Sequence, residues 1–179
     1  MSTPDHPTVA RVTAALTDAG LRSSAERVRM LPDAVRTAAQ AAEALGVDVG
    51  AIANSLVFRT TTADGDHLPL LALTSGAHRA DTAALAALTG AARVDKADPG
   101  FVREHTGQVI GGVAPVGHPH RITTLIDEAL RAHGTVWAAA GHPNSLFPVT
   151  FDDLFALTDG RPAEVAGAAG DARERTAPR

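Results

Sequence analysis

The sequence predicts a single α/β (α+β) domain in which a curved mixed β-sheet, or partial barrel, is flanked by helices. Its 179 residues and 45% hydrophobic content suit one domain with a real core. Helical spacing and short β-rich runs alternate irregularly along the chain. Glycine-marked bends such as residues 111–112 recur where a small sheet must curve. We expect residues 1–166 to form the domain and residues 167–179, which have no large apolar side chain, to be a disordered tail.

Five segments have the features of helices. Residues 8–19 repeat apolar side chains at intervals of three to four residues. The second segment opens with Thr37 and Gln40, which fit a capping box, and ends at Gly46. The third segment opens with Asp81 or Thr82 as cap. The fourth has a proline at an early position, and the fifth opens with a second capping box. The helices expected on these grounds cover residues 8–19, 37–47, 81–90, 98–107 and 150–160.

The strands are expected between these helices. The sequence "ADGD" at residues 63–66 is a hairpin turn signal between two apolar runs. The run "VIGG" at 109–112 also has the character of a strand that enters a glycine pair. A segment from Arg121 combines a strand with a helical turn, and "RPAEVAG" adds an edge strand. The other expected strands cover residues 27–31, 51–61, 67–76, 91–97, 135–141 and 144–150.

The composition excludes several classes of protein. With no cysteine, the chain has no disulfide, thiolate metal site or cysteine nucleophile. A net charge of −4 argues against DNA as a partner and confines any nucleic-acid contact to a small area. Aromatic residues are only 3% of the chain, which weakens base stacking. No apolar run reaches the ~20 residues of a membrane span, and the N-terminus lacks the features of a secretory signal, so a cytoplasmic protein is expected.

Two similar stretches suggest one site lined by backbone. They are "VIGGVAPVGHPH" at 109–120 and "VWAAAGHPNSLFPV" at 136–149, and both contain Gly-His-Pro. The pair Gly111–Gly112 has two interpretations. It either relieves crowding at a bulge or exposes N–H and C=O groups to a ligand. The stretch is neither a dinucleotide fingerprint nor a phosphate-binding loop, so no cofactor is expected.

The side chains that could carry chemistry form no strong motif. A zinc site would draw on His118, His120, His133 and His142, but no metal-binding spacing is present and turn histidines are the favoured interpretation. Neither Ser75 nor Ser145 lies in a nucleophile elbow. The acidic pairs 127–128 and 152–153 are interpreted as caps or solvated faces, since adjacent residues do not face each other on a helix.

Five motifs in order resemble the YbaK/ProX family of aminoacyl-tRNA deacylases, which are related to the editing domain of bacterial prolyl-tRNA synthetases. The resemblance covers about residues 8–165 and rests on "TAAQAAEALGV…AIANSLVFR", "LLALTSGAHRAD", "TGQVIGGVAPVGHP", "LIDEAL" and "VWAAAGHPNSLFPVTFDDLFALT". It implies a curved mixed sheet with flanking helices. It also implies metal-independent hydrolysis of the ester at the 3′ end of a mischarged tRNA, with an aminoacyl-tRNA synthetase as a further partner.

The resemblance also implies site residues. Gly112 matches the glycine whose backbone positions the ester, and a side chain there is expected to block the site more than it harms the fold. Asn54 stands where many members carry a lysine, so a charge is lost at that position. These two residues are the expected catalytic positions. The expected substrate-binding residues are Gly111, Val113, Pro115, Gly117, His118, Ser75, Arg79, Gly141, His142 and Asn144.

Three functions remain open at this stage. The first is a freestanding trans-editing deacylase. The second is a non-catalytic module that keeps the fold and a pocket for an aminoacyl, nucleotide or synthetase partner, which Asn54 favours. The third is a metal-dependent hydrolase that uses the histidines. The sequence identifies neither the amino acid nor the tRNA.

Overall fold

A computed structural model describes residues 6–33, 35 and 37–167 of the chain. The predicted tail lies outside the described residues, apart from Gly167. Within these residues, two short 3-10 turns at Val49–Ala51 and Glu128–Ala132 accompany the α-helices. The helices are Pro7–Asp18 (α1), Arg22–Glu26 (α2), Ala38–Leu45 (α3), Thr82–Thr89 (α4), Pro99–Thr106 (α5) and Phe151–Thr158 (α6).

The described strands form one mixed sheet, as predicted, and this sheet has eight strands. They are Arg29–Met30 (β1), Ile52–Thr61 (β2), His67–Ser75 (β3), Arg93–Lys96 (β4), Thr123–Asp127 (β5), Val136–Ala139 (β6), Ser145–Val149 (β7) and Arg161–Ala163 (β8). The strand order is β1-β7-β6-β2-β3-β5-β8, and β4 pairs with β2 beside this path. Pairs β2–β6, β3–β5 and β5–β8 are parallel, and the other pairs are antiparallel.

Side-chain caps start four of the helices at residues that the sequence marks. Thr37 and Thr150 each accept a hydrogen bond from the backbone N–H three residues later. Asp81, rather than Thr82, caps α4 by accepting from two backbone N–H groups, and Asp98 caps α5. Because these caps satisfy N–H groups that have no partner inside the helix, the sequence determines where the helices begin.

Two segments differ from the sequence prediction. The short helix α2 was not expected, because its five residues are too few for a periodic pattern. The strand expected at 109–112 is wrong, since residues 107–122 contain no helix or strand. Val109 and Ile110 are 43% and 57% exposed and pair with no strand. Apolar character alone does not make a strand when no neighbouring edge is available for pairing.

The core lies on both faces of the hairpin β2–β3. One cluster of buried side chains includes Ala53, Leu71 and Leu73, together with α1, α5 and α6 residues. A second cluster, on the opposite face, includes Phe58 and Leu70 and residues of α4 and β8. Strand alternation places successive side chains in different clusters, which explains the continuous apolar runs of these strands. In the described part of the chain, no helix is long and apolar enough to cross a membrane.

The register of β3 generates a prediction for two leucines that the sequence does not distinguish. Leu73 is 0% exposed and Leu68 is 53% exposed. Leu73→Ala should lower the free energy of unfolding by about 2–5 kcal/mol, because it leaves a cavity in the core. Leu68→Ala should change it by less than about 0.5 kcal/mol. Urea denaturation of both variants checks this, and equal destabilisation would contradict the difference in burial between the two leucines.

Candidate functional site

A cleft of about 630 Å³ opens where the pairing of β2 is interrupted. One edge of β2 pairs with β3 over residues 53–61. On the other edge, β6 pairs with residues 52–53 and β4 pairs with residues 58–61. Among the described strands, none pairs with residues 54–57 on this second edge, and all four of these residues line the cleft. Backbone N–H and C=O groups on an unpaired strand edge are donors and acceptors for a ligand.

Strand alternation divides the cleft into two walls. Asn54, Leu56 and Phe58 belong to one face of β2, which we name the polar wall because His78, Arg79, Thr82 and Lys96 also line the cleft on that side. Ser55 and Val57 belong to the other face, which we name the apolar wall. The other residues of the apolar wall are Ala53, Ala97, Val102, Ile110, Gly111, Val113 and Ser145.

A third group of residues closes the end of the cleft near β6. Ile52 and Leu146 belong to a separate hydrophobic cluster that packs against α3. The residues that line the cleft from this cluster and its neighbours are Val35, Thr37, Ala38, Ala41, Ile52, Pro143 and Leu146. The cleft thus lies where three hydrophobic clusters meet, so its shape depends on the packing of α3, α4 and α5 together.

Asn54 is exposed on the polar wall. The β2–β3 pairing holds its backbone opposite Thr74, which is buried. The amide side chain can both donate and accept hydrogen bonds, but it carries no charge. Asn54 is therefore placed to orient a polar ligand group rather than to neutralise one.

A histidine–aspartate pair on the polar wall was missed by the sequence analysis. Asp127 is only 2% exposed, and its Oδ2 lies 2.9 Å from Nδ1 of His78. The same oxygen accepts a hydrogen bond from the backbone N–H of Ser75 at 3.0 Å, while Oδ1 accepts from Ala129 N–H. Asp127 therefore caps a turn, as expected, but it is buried rather than solvated. Its carboxylate orients the His78 ring, which lines the cleft.

The two glycines of the first stretch have different environments. Gly111 lines the cleft, is exposed, has φ +91°, and has open space where a Cβ would lie. Gly112 is buried and does not line the cleft. A Cβ at Gly112 would lie 2.6 Å from the carbonyl carbon of His142 and 2.7 Å from N of Pro143. The sequence analysis expected a side chain at Gly112 to block the site more than it harms the fold. In the structure, the missing Cβ leaves space for protein backbone, so a side chain there would also disturb the packing of the two loops.

The two glycine-containing stretches meet at this contact, as the sequence suggested. In the second stretch, Ser145 Oγ accepts from His142 N–H at 3.0 Å and donates to the His142 carbonyl at 2.8 Å. Asn144 donates its side-chain N–H to Leu31 O at 3.3 Å. These bonds make a rigid turn whose Pro143 and Ser145 reach the cleft, whereas Gly141, His142 and Asn144 do not line it.

The first stretch is held from inside by a buried glutamine that the sequence analysis did not single out. Gln108 is 1% exposed; its Oε1 accepts from Ala114 N–H at 2.7 Å, and its Nε2 donates to Val116 O at 3.0 Å. Val113 reaches the cleft, whereas Pro115, Gly117 and His118 lie outside its lining. The buried amide thereby presents Gly111 and Val113 to the cleft.

The site residues predicted from sequence therefore divide into two sets. Asn54, Arg79, Gly111 and Val113 line one cleft. Ser75 lies beside it: its N–H is bound to Asp127 and its Oγ donates to Gly50 O at 2.9 Å. The remaining predicted residues belong to the two glycine-containing loops and do not line the cleft.

The four histidines considered as metal ligands have separate partners. His118 Nε2 lies 2.8 Å from Ala114 O, and His142 Nδ1 accepts from Asn144 N–H at 3.1 Å. His120 lies beside His105, and His133 lies beside Gly50. Within the described residues, no group of three or more His, Cys, Asp or Glu side chains could hold a metal ion.

Two of these histidines have shifted pKa values. Burial lowers the pKa of His118 from its ordinary value of 6.5, against the opposing effect of its hydrogen bond to Ala114. Burial, followed by the nearby His6, lowers the pKa of His142. The bond from Asn144 N–H to Nδ1 is consistent with a neutral His142, because a protonated Nδ1 could not accept it.

The sequence model of the aminoacyl-tRNA editing domain matches residues 32–157. Among curated proteins, an uncharacterized protein, YwhH of Bacillus subtilis (strain 168), is 35% identical over 118 residues, 66% of this chain and 72% of YwhH. The candidate Cys-tRNA(Pro)/Cys-tRNA(Cys) deacylase EbsC of Enterococcus faecalis (strain ATCC 700802 / V583) is 26% identical over 129 residues, 72% of this chain and 76% of EbsC.

Solved structures share the fold. A crystal structure described as that of a candidate trans-editing enzyme for prolyl tRNA synthetase has a TM-score of 0.82 and 39% sequence identity. The match covers 91% of this chain and 99% of that one. The common architecture therefore includes most of this chain.

The environments of the two glycines generate a stability prediction. Gly112→Ala should lower the free energy of unfolding by about 1–3 kcal/mol, because its Cβ overlaps backbone atoms of the second loop. Gly111→Asn should cost less than this, since asparagine tolerates positive φ better than other side chains and the position faces open space. Thermal unfolding of both variants checks this. If the two melting temperatures fall equally, the proposed packing of Gly112 is incorrect.

The lowered pKa of His118 generates a pH prediction. Below pH 6.5, the unfolded state binds a proton at His118 more readily than the native state does. The free energy of unfolding should therefore decrease as the pH falls from 7.5 toward 5.5, by at most about 1.4 kcal/mol per pH unit from this residue.

The matched control for this prediction is His118→Gln, which keeps a donor toward Ala114 but does not titrate. Urea unfolding at pH 7.5 and 5.5 should give a smaller decrease for this variant than for the wild-type protein. An identical decrease would show that His118 makes no contribution.

Proposed function

Because the chain belongs to the aminoacyl-tRNA editing domain family, we propose that it is a trans-editing deacylase that hydrolyses the ester bond of mischarged tRNA without a metal ion. Water adds to the ester carbonyl carbon, and the bond from that carbon to the ribose oxygen breaks. The products are the free amino acid and a tRNA with an intact terminal hydroxyl. We further propose that the reaction takes place in the cytoplasm, with a synthetase as an additional partner.

The single observation that carries this proposal is the interrupted edge of β2 opposite the exposed backbone of Gly111, both in one cleft. An aminoacyl ester is already activated, so the site needs to hold it in position more than it needs a strong base. Backbone N–H groups that are fixed before the substrate arrives stabilise the oxyanion that develops on the carbonyl oxygen. We propose that Asn54 and the backbone at Gly111 orient the ester and the attacking water, aided by the neighbouring ribose hydroxyl of the tRNA.

We assign the apolar wall to the side chain of the amino acid. Val57, Val102 and Val113 line it, and the described residues of this wall include no charged side chain. The hydroxyl of Ser55 is buried there with no hydrogen-bond partner in the described structure. A charged amino acid would lose its hydration in this environment with no counterion. We therefore propose a small uncharged amino acid as the substrate side chain.

The names of the related proteins guide the choice of tRNA. EbsC is named for Cys-tRNA(Pro) and Cys-tRNA(Cys), and the solved relative is described in connection with prolyl-tRNA synthetase. We propose tRNA(Pro) that carries a small wrong amino acid as the first substrate to examine.

A second candidate function follows from Asn54. An uncharged side chain on the polar wall suits a module that binds an aminoacyl or nucleotide ligand without hydrolysing it. The same cleft would serve both functions, so the assay must measure turnover and binding separately.

We predict turnover of at least one mischarged tRNA in the presence of EDTA. The mischarged panel consists of alanine, cysteine and serine on tRNA(Pro), and correctly charged Pro-tRNA(Pro) and Cys-tRNA(Cys) serve as comparisons. Asn54→Ala should lower the rate by about two- to tenfold, since a hydrogen bond to an uncharged group contributes roughly 0.5–1.5 kcal/mol. Leu68→Ala is the control, because Leu68 is exposed on β3 and does not line the cleft.

Each negative outcome separates the candidate functions. Binding of uncharged tRNA without turnover on any member of the panel would favour the binding module. Complete inhibition by EDTA that added zinc reverses would favour a metal-dependent hydrolase. Equal activity of Asn54→Ala and the wild-type protein would remove Asn54 from the site.

A further inference from the structure

The sequence contains a single lysine, Lys96, and the other basic side chains are arginines. Lys96 is exposed and lines the polar wall of the cleft. Among the described residues that line it, Arg79, also exposed, is the other Lys or Arg. In a chain with a net charge of −4, both cations occur in the one cleft that the proposed function uses.

The strand pairing places Lys96 near the interrupted edge. Lys96 is the last residue of β4 and lies directly opposite Phe58 of β2. Side chains that face each other across an antiparallel pair project to the same side of the sheet. Lys96 therefore projects on the same side as Phe58, Leu56 and Asn54. It stands at the point where β4 ends and the unpaired edge of β2 begins.

Arg79 approaches the same wall from another element. It lies in the turn between β3 and α4, next to Ala80, which packs against the cluster that contains Phe58. Lys96 belongs to β4 and Arg79 to the connection that follows β3, and these two strands pair with opposite edges of β2. Positive charge therefore occurs at two separate positions along the polar wall.

Acidic side chains do not neutralise these cations in the described structure. No Asp or Glu is among the described residues that line the cleft, and neither cation has a carboxylate within 4.0 Å there. The carboxylates nearest in sequence have other roles. Asp95 pairs with Arg93, Asp98 caps α5 and Asp81 caps α4. Two uncompensated cations in a cleft with low-dielectric walls attract an anion.

We propose that Lys96 and Arg79 form a phosphate subsite that holds the sugar–phosphate backbone of the 3′-terminal strand of tRNA along the polar wall. This inference rests on the proposed function and deepens it, because it assigns the strand to the polar wall and the amino acid to the apolar wall. Lys96 acts as a point charge on a flexible stem, and Arg79 can bind a phosphate through two N–H groups. Both are positioning residues, and neither takes part in proton transfer.

The kinetic test uses the full chain and compares one substitution that removes the charge of Lys96 with another that retains it. Lys96→Met removes the charge and keeps an apolar stem, whereas Lys96→Arg retains the charge. Arg22→Met is the matched control, since Arg22 is exposed on α2 and does not line the cleft. Thermal unfolding of all three variants should match that of the wild-type protein.

We expect Lys96→Met to raise KM for the mischarged tRNA five- to twentyfold with kcat changed less than twofold. The slope of log KM against log salt concentration should decrease by about 0.7, the value for the loss of one contact with a single-stranded phosphate. Lys96→Arg should restore both quantities, and Arg22→Met should leave both unchanged. A wild-type KM and salt slope in Lys96→Met would overturn the subsite while leaving the deacylase proposal intact.

A binding experiment tests the phosphate subsite without requiring turnover. The probe is a fluorescein-labelled RNA oligonucleotide that ends in CCA and carries no amino acid, and its binding is measured by fluorescence anisotropy. Lys96→Met should weaken binding by the same factor as it raises KM. If the wild-type protein binds this probe with the expected salt slope but hydrolyses no tRNA, the deacylase proposal fails and the subsite stands. If the wild-type protein and Lys96→Met bind it equally, or neither binds it, the subsite is wrong.

The single lysine also allows chemical footprinting. An amine-selective acetylating reagent modifies Lys96 as the one side-chain amine of the chain, and mass spectrometry gives its rate. Adenosine 5′-monophosphate at saturating concentration should slow acetylation at least threefold, whereas adenosine should not. Equal protection by the two compounds would assign Lys96 to the nucleoside and not to the phosphate. Absence of protection by either compound would also contradict the proposal.

Discussion

The cleft depends on a single constraint, which is that two short strands share one edge of β2 and leave a gap between them. β6 runs parallel to the first residues of β2, and β4 runs antiparallel to its last residues. On its other edge, β2 is paired with β3 over residues 53–61, so the exposed backbone stays rigid. A rigid strand with unpaired polar groups is suited to hold a substrate by its backbone.

The two glycine-containing loops contribute Gly111, Val113, Pro143 and Ser145 to the lining of this gap. Close packing of Gly112 against the peptide between His142 and Pro143 joins the loops. Gln108 then fixes the first loop from within. Gly111, with its positive φ, turns the backbone toward the cleft at the end of this chain of contacts. Each of the two interpretations drawn from the sequence therefore applies to one glycine. Gly112 relieves crowding between the loops, and Gly111 exposes its backbone to the cleft.

Most of the fold could be predicted from the sequence, because local signals determine it. Helix caps at Thr37, Asp81 and Thr150 and the hairpin turn at 63–66 act over a few residues. The candidate site could be predicted only in part. Asn54 and Gly111 stand out in motifs, but the His78–Asp127 pair joins residues 49 positions apart, each of which has an ordinary local role. The position of Lys96 in the cleft likewise could not be predicted from local sequence, because it results from the pairing of β4 with β2. The strand expected at 109–112 failed because pairing partners are a property of the tertiary structure.

The division into two walls follows from the alternation of side chains along β2, and it explains how one short strand can serve two ligand chemistries. Asn54 and Leu56 project to the side of the cations, while Ser55 and Val57 project to the side of the valines. A substrate with an apolar side chain and an anionic backbone must cross from one face of β2 to the other, and it can do so only where no neighbouring strand intervenes. Residues 54–57 provide that passage. An ester that links the two halves of such a substrate would lie against the unpaired backbone itself, which is where the polar groups of the strand are available.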